Sequence, residues 1–136
     1  MIKPIMKSEF FLRLPSEDAG PDDTATGQGL LDTLHEHEHE CVGLAANMIG
    51  VRKRIICVKD GNRALLMYNP QILEQVNAYQ TSEGCLSLTG ERPCTRYRRI
   101  KVEYLDENFV HRIKNFSGYT AEIIQHEIDH CNGIVI

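Results

Sequence analysis

The sequence predicts an α+β fold, with largely antiparallel sheets packed around a C-terminal helix that carries an HExxH sequence. Three observations lead there. A helical pattern near residue 30 is followed by several strand-like segments and then by a second helical pattern near residue 125, and helices set apart from a run of strands are the α+β arrangement. The stretch Tyr97 to Leu105 alternates Ile100, Val102 and Tyr104 with Arg99, Lys101 and Glu103, giving one dry face and one wet one. The 136 residues are 42% hydrophobic and 25% charged, which fits one globular domain spanning 1–136.

Taken in order, residues 1–14 read as an extended arm anchored by Phe10, Phe11 and Leu12. Residues 15–27, PSEDAGPDDTATG, carry turn and loop chemistry. Leu30, Leu31 and Leu34 mark an amphipathic helix around 23–37. A run of small residues, Val42 to Gly50, follows. Ile55 to Val58 reads as a strand closed by the Asp60-Gly61-Asn62 turn, and Ala64 to Tyr68 as a second strand that stops at Asn69-Pro70. After Tyr97 to Leu105, Asp106-Glu107-Asn108 is a hairpin turn leading to a return strand at 109–116. Ser117 is placed to N-cap the last helix and Gly133 to end it.

Composition excludes several classes of function. With 15 basic and 19 acidic residues the net charge is −4, whereas a chain that works on phosphate backbones is basic, so no direct nucleic-acid binding is expected. No apolar run approaches the ~20 residues of a membrane helix. The start, MIKPIMKSEF, has no apolar core of a signal peptide. Five cysteines, an odd number with no CxxC, point to reduced thiols and a cytoplasmic setting.

The chemistry concentrates in His126-Glu127-Ile128-Asp129-His130. Positions i and i+4 lie on one helix face, so His126 and His130 can share a cation while Glu127 serves as a general base. By itself this pattern suggests a zinc peptidase, which needs a third ligand. Only six residues follow His130, and Ile136 stands where the extended HExxHxxGxxH form requires His. The third ligand is therefore expected upstream. Cys131 turns about 100° away from His130 on the helix. Cys41, Cys57, Cys85, Cys94, His111 and the histidines at 35–39 are the upstream candidates. Cys57 is mid-strand. Cys85 sits in Glu83-Gly84-Cys85-Leu86-Ser87, where the glycine permits close backbone approach and Glu83 could orient a histidine from behind.

The Gly43-Leu44-Ala45-Ala46 loop, the EGCLS cysteine segment and the HEIDH helix, in that order, resemble peptide deformylase. Asn69-Pro70 before the cysteine, and Arg92 and Arg96 after it, are also similar. The resemblance covers roughly residues 28–136. It implies that Cys85, His126 and His130 bind one divalent metal ion, commonly Fe²⁺ with Zn²⁺ or another ion substituting. It also implies removal of the formyl group from the N-terminal methionine of nascent polypeptides. N-formylmethionyl peptides would be the partners, met in transient proximity to the ribosome. Glu127 would be the base, and the backbone N–H of Leu86 would hold the oxyanion. Val42 and Gly43 would pair with an extended peptide. Glu83, Asp129 and Arg96 would support the ligands. Tyr119 and Ile123 share the helix stripe of His126 and His130, so they either line an apolar pocket for the methionine side chain or belong to the core. Glu122 beside them would make such a pocket wetter.

Two features depart from this pattern. The family's first motif is commonly G-x-G-x-A-A-x-Q, and here Cys41 stands for the first glycine and Met48 for the glutamine. That glutamine is expected to donate to the oxyanion, which a thioether cannot do, and losing such a donor typically costs ~10²–10³ in rate. The run His35 to Glu40 reads as a solvated helix end rather than a second metal site. Two other readings stay open: a hydrolase of another small N-acyl group tuned by Met48 and Glu122, and a catalytically weak metal protein that binds N-terminal peptides.

Overall fold

The computed structural model describes all 136 residues. Five strands form one sheet in chain order: β1 (Gly43–Ala45), β2 (Ile55–Asp60), β3 (Arg63–Cys85), β4 (Leu88–Leu105) and β5 (His111–Ser117). Every neighbouring pair is antiparallel. The helices are α1 (Glu9–Leu12), α2 (Thr24–Glu36) and α3 (Gly118–Cys131), with short 3-10 turns at 21–23 and 46–49. The predicted α+β class and its antiparallel pairing are what the chain adopts.

Local chemistry explains much of this. Ile55 to Val58 are all buried, as a continuous apolar run in a covered strand should be. Asp106 Oδ1 accepts from the backbone N–H groups of Asn108 at 2.9 Å and Val110 at 3.0 Å, which closes the turn into β5. At the end of α3, Ile134 N donates to Asp129 O at 2.9 Å and Gly133 N to His130 O at 3.0 Å, a Schellman ending. Gly133 has φ +75°, and a Cβ there would lie 2.5 Å from Arg13 O, so only glycine fits. Ser117 occupies the N-cap position of α3, but its side chain makes no capping bond.

Three expectations are corrected. The N-terminal arm is not wholly extended: Ser8 Oγ accepts from Phe11 N and starts the one-turn helix α1. Its anchor is Leu12, fully buried, whereas Phe10 is 81% exposed. The second strand does not stop at Asn69-Pro70. A bulge there, with Asn69 at φ +54°, lets β3 run on to Cys85, and Pro70 is tolerated because a bulge needs no N–H from it. Asn69 is held by a pair of bonds with Ala19, accepting from its N–H at 2.7 Å and donating to its carbonyl at 2.9 Å. The strand ending at Leu105 likewise starts at Leu88, not Tyr97, because it pairs with this longer β3. Past Asn77, the paired segments 78–85 and 88–97 form an arm of the sheet whose tip carries Cys85 toward α3. The core lies between the sheet, α2 and the inner face of α3, and includes Leu30, Leu34, Ile56, Met67, Val102 and Ile124.

Candidate metal centre

α3 presents His126 and His130 on one face, and the tip of β3 brings Cys85 to them. The Cys85 sulfur and one nitrogen of each imidazole lie within 4.8 Å of one another. None of the other candidate ligands joins this group. Cys57 is fully buried in β2, Cys131 is buried on another side of α3, and His111 Nε2 pairs with Glu103 at 2.7 Å on exposed β5. Cys41 lines the same cavity, but burial and the nearby Glu127 push its thiol up to about 12. The run at 35–40 does not gather its histidines. His35 pairs with Glu38 at 3.3 Å and His37 with Glu40 at 2.8 Å, while Glu38, His39 and Glu40 form one rim of the cavity.

Behind Cys85, His126 and His130 stands a polar brace. Glu83 Oε1 faces His126 Nδ1 at 2.8 Å. Arg96 grips Glu83 through Nε at 3.1 Å and Nη2 at 2.7 Å, and its Nη1 reaches Asp129 Oδ2 at 2.7 Å. Arg96 is buried, so the bidentate pair is desolvated and geometrically specific. Burial alone would raise Glu83, but its bonds to His126 and Arg96 outweigh that and hold it well below the usual carboxylate range. A carboxylate held this way fixes the ring orientation of a ligating histidine. Ser87 N also donates to Cys85 Sγ at 3.3 Å.

The two imidazoles differ. Burial pulls His126 down, but bonds with Cys85 and Glu83 lift it to about 10. Burial, with the charge of His126 nearby, pushes His130 down to about 3, so it is neutral and offers a lone pair. His130 is fully buried, and neither of its ring nitrogens has a hydrogen-bond partner. A buried polar group left so costs about 1–3 kcal/mol. A cation shared with Cys85 and His126 answers that cost, and one sulfur with two imidazoles is a donor set that divalent transition ions accept. The residues present therefore fit a metal ion.

Glu127 opens on the same cavity, of about 710 Å³. It is 4% exposed and its Oε1 has no partner. Burial lifts its carboxyl to about 7, against the pull of His126. A group near neutrality can both take and return a proton. β1 borders the cavity as the edge strand of the sheet, paired only with β2, so its other side is open to an extended chain. Val42 O is tied to Lys59 N at 2.8 Å. Gly43 packs on Glu127: a Cβ there would lie 2.7 Å from Ile123 Cγ2 and 2.9 Å from Glu127 Oε2. Gly43→Ala is thus expected to displace Glu127 and lower kcat by up to ~10²-fold, since a misplacement of about 1 Å can cost that much. Steady-state kinetics with circular dichroism as a folding control check it.

Leu86 lines the cavity, its carbonyl accepting from Lys7 Nζ at 2.9 Å. Ile123 is buried against the cavity and Tyr119 is 65% exposed at its mouth, so the stripe is core at one end and rim at the other. Glu122 also lines the wall, accepting from Tyr79 Oη at 3.2 Å, which makes it polar as expected. Met48 lines the cavity too, but its sulfur is turned to accept from Ala45 N at 3.4 Å.

Two buried amides escaped the sequence reading. Gln125 exchanges bonds of 2.8 Å with both backbone groups of Tyr97, which docks α3 on β4. Asn47 joins the 46–49 turn to the end of α3. Nothing in local sequence marks either, because their partners are far along the chain.

Residues 5–136 match the family described as polypeptide deformylase. The peptide deformylase of Clostridium beijerinckii is 51% identical over 136 residues, 100% of both chains. Among solved structures, a class I type b peptide deformylase from Acinetobacter baumannii superposes with a TM-score of 0.89 at 29% identity, covering 99% of this chain and 97% of that one. The peptide deformylase of Thermus thermophilus gives 0.89 at 33%, covering 99% and 84%.

Proposed function

Since the chain belongs to the polypeptide deformylase family, we propose how its own residues remove the formyl group from the N-terminal formylmethionine of nascent polypeptides. The observation that carries the reading is the meeting of Cys85, His126 and His130 beside a buried, unpartnered Glu127. Those three residues would hold one divalent ion, Fe²⁺ first and Zn²⁺ as a substitute. When bound, such an ion supplies Lewis acidity toward a water and toward the formyl oxygen. The rest is the protein's work. The peptide lies extended along Val42 and Gly43 on the open edge of β1. Its first side chain turns toward Ile123 and Tyr119. Glu127 takes the proton of the attacking water and returns it to the leaving amine nitrogen, so the base is regenerated. The Leu86 N–H donates to the oxyanion as it develops. Glu83, Arg96 and Asp129 keep His126 oriented. The Acinetobacter baumannii relative has a crystal structure with Met-Ala-Ser bound, which supports a peptide beginning with methionine as the kind of ligand this cavity takes.

Residues 1–136 would act as one domain. The five free cysteines and a substrate that emerges from the ribosome support a cytoplasmic setting with transient ribosome proximity. No helix is long and apolar enough to cross a membrane. The test is formate release from formyl-Met-Ala-Ser by protein loaded anaerobically with iron, with acetyl-Met-Ala-Ser as comparator. Turnover of the formyl peptide alone is expected. Equal turnover of both would replace this reading with a broader N-acyl hydrolase.

Met48→Gln is expected to raise kcat/KM in the same assay. The new Oε1 can take over the Ala45 N–H, which leaves Nε2 to donate into the cavity. Burying an amide is costly unless it finds a partner, and the oxyanion is one. The ceiling is about 10²–10³-fold, falling mainly in kcat because the oxyanion exists only near the transition state. An unchanged rate with metal content preserved would mean that another donor serves.

A further inference from the structure

His126 and His130 are held in different ways. The ring of His126 is oriented by Glu83, whereas the ring of His130 has no hydrogen-bond partner at either nitrogen. What places His130 is therefore its backbone, and it sits in the last turn of α3, where carbonyls lack helical donors and helices fray. Its carbonyl takes the Gly133 N–H and, at 3.0 Å, the side-chain Nδ2 of Asn47. Asn47 is 1% exposed. The same Nδ2 reaches Leu12 O at 3.4 Å, while its Oδ1 has no partner at all. Only the donor end of this buried amide is engaged, and it is engaged on the metal helix. Next to it, Met48 lines the cavity and its carbonyl accepts from Met6 N at 2.7 Å.

We infer that Asn47 is a positioning residue for the metal centre: from the 46–49 turn its amide locks the last turn of α3 so that the otherwise unsupported His130 imidazole meets Cys85 and His126. The inference rests on the ligand set proposed above. Asn47 neither lines the cavity nor belongs to the Cys85, His126 and His130 group. It acts through the His130 backbone, and it couples that backbone to the N-terminal arm through Leu12.

The test uses the full chain loaded with Co²⁺, read by its thiolate charge-transfer and ligand-field bands and by the rate of metal loss to a chelator. The variants are Asn47→Leu, nearly isosteric without a donor, and Asn47→Ser, whose donor is too short to reach. Loss of a supporting hydrogen bond typically costs ~10–100-fold in metal affinity. Both variants should lose cobalt faster by that factor, with shifted ligand-field bands. Val102→Ala, a core truncation outside the cavity lining, should lower Tm yet leave the spectrum and the off-rate unchanged. If Asn47→Leu does not fold, Asn47→Ser decides. An unaltered spectrum and off-rate in the folded Asn47 variants would overturn the inference. So would an equal change in Val102→Ala, which would make the effect one of general stability. A parent protein with no thiolate-to-cobalt band would instead overturn the ligand set itself, and the role of Asn47 with it.

Discussion

Glu127→Gln is expected to retain the metal and to lose about 10²–10⁴-fold in turnover, the usual worth of a general base. The amide keeps the size and shape of the carboxyl but cannot take a proton. The geometry makes the substitution clean. Glu127 Oε1 has no protein partner, so no structural bond is broken, and its carboxyl is already lifted to about 7 by burial, so removing the charge relieves a desolvation cost. Tm should therefore be equal or higher, which separates lost chemistry from lost folding. The measurement is kcat for formate release alongside metal content and a thermal melt. A near-normal kcat with the metal bound would remove Glu127 from the proton transfer. An activity loss that tracks metal loss would make it a structural neighbour of the ligands.

Cys85→Ser is expected to abolish tight metal binding, and turnover with it. In the proposed ligand set a metal-bound Cys85 would be the one anionic donor, which a serine hydroxyl would not replace, so the site would lose both a charge and its soft donor. Cys57→Ser and Cys94→Ser should keep one equivalent of metal, because neither sulfur joins the cluster. Cys57 is fully buried in β2, so serine there should lower Tm without touching metal content. Metal content after dialysis decides. Retention of one equivalent by Cys85→Ser would sink the ligand assignment, and loss from Cys57→Ser at a preserved Tm would point to a different sulfur.

What could be read from the sequence follows from the range of the physics involved. Helical periodicity acts over four residues, so HEIDH alone puts His126 and His130 on one face of α3. Turn and cap chemistry are also local, so Gly133 at the end of α3 and the Asp106 turn were legible. The family resemblance rested on three such local segments in the right order. Asn69-Pro70, by contrast, carries every local sign of a strand end, and β3 nevertheless continues. Its bulge is held by Ala19, 50 positions away, which no window of sequence can see.

The sequence by itself determined the α+β class, the helix that carries the two histidines, and the family. The resemblance implied Cys85 as their partner, but only the tertiary structure decided how its sulfur is carried to them. Glu83 and His126 are 43 positions apart, and Asn47 and His130 are 83 apart. Those meetings require the long β3–β4 hairpin to reach over to α3 and the 46–49 turn to dock on its end. Both depend on burial and on pairing summed across the whole domain. A contact of that kind is a property of the packed core, and the residues that make it carry no mark of it in the chain.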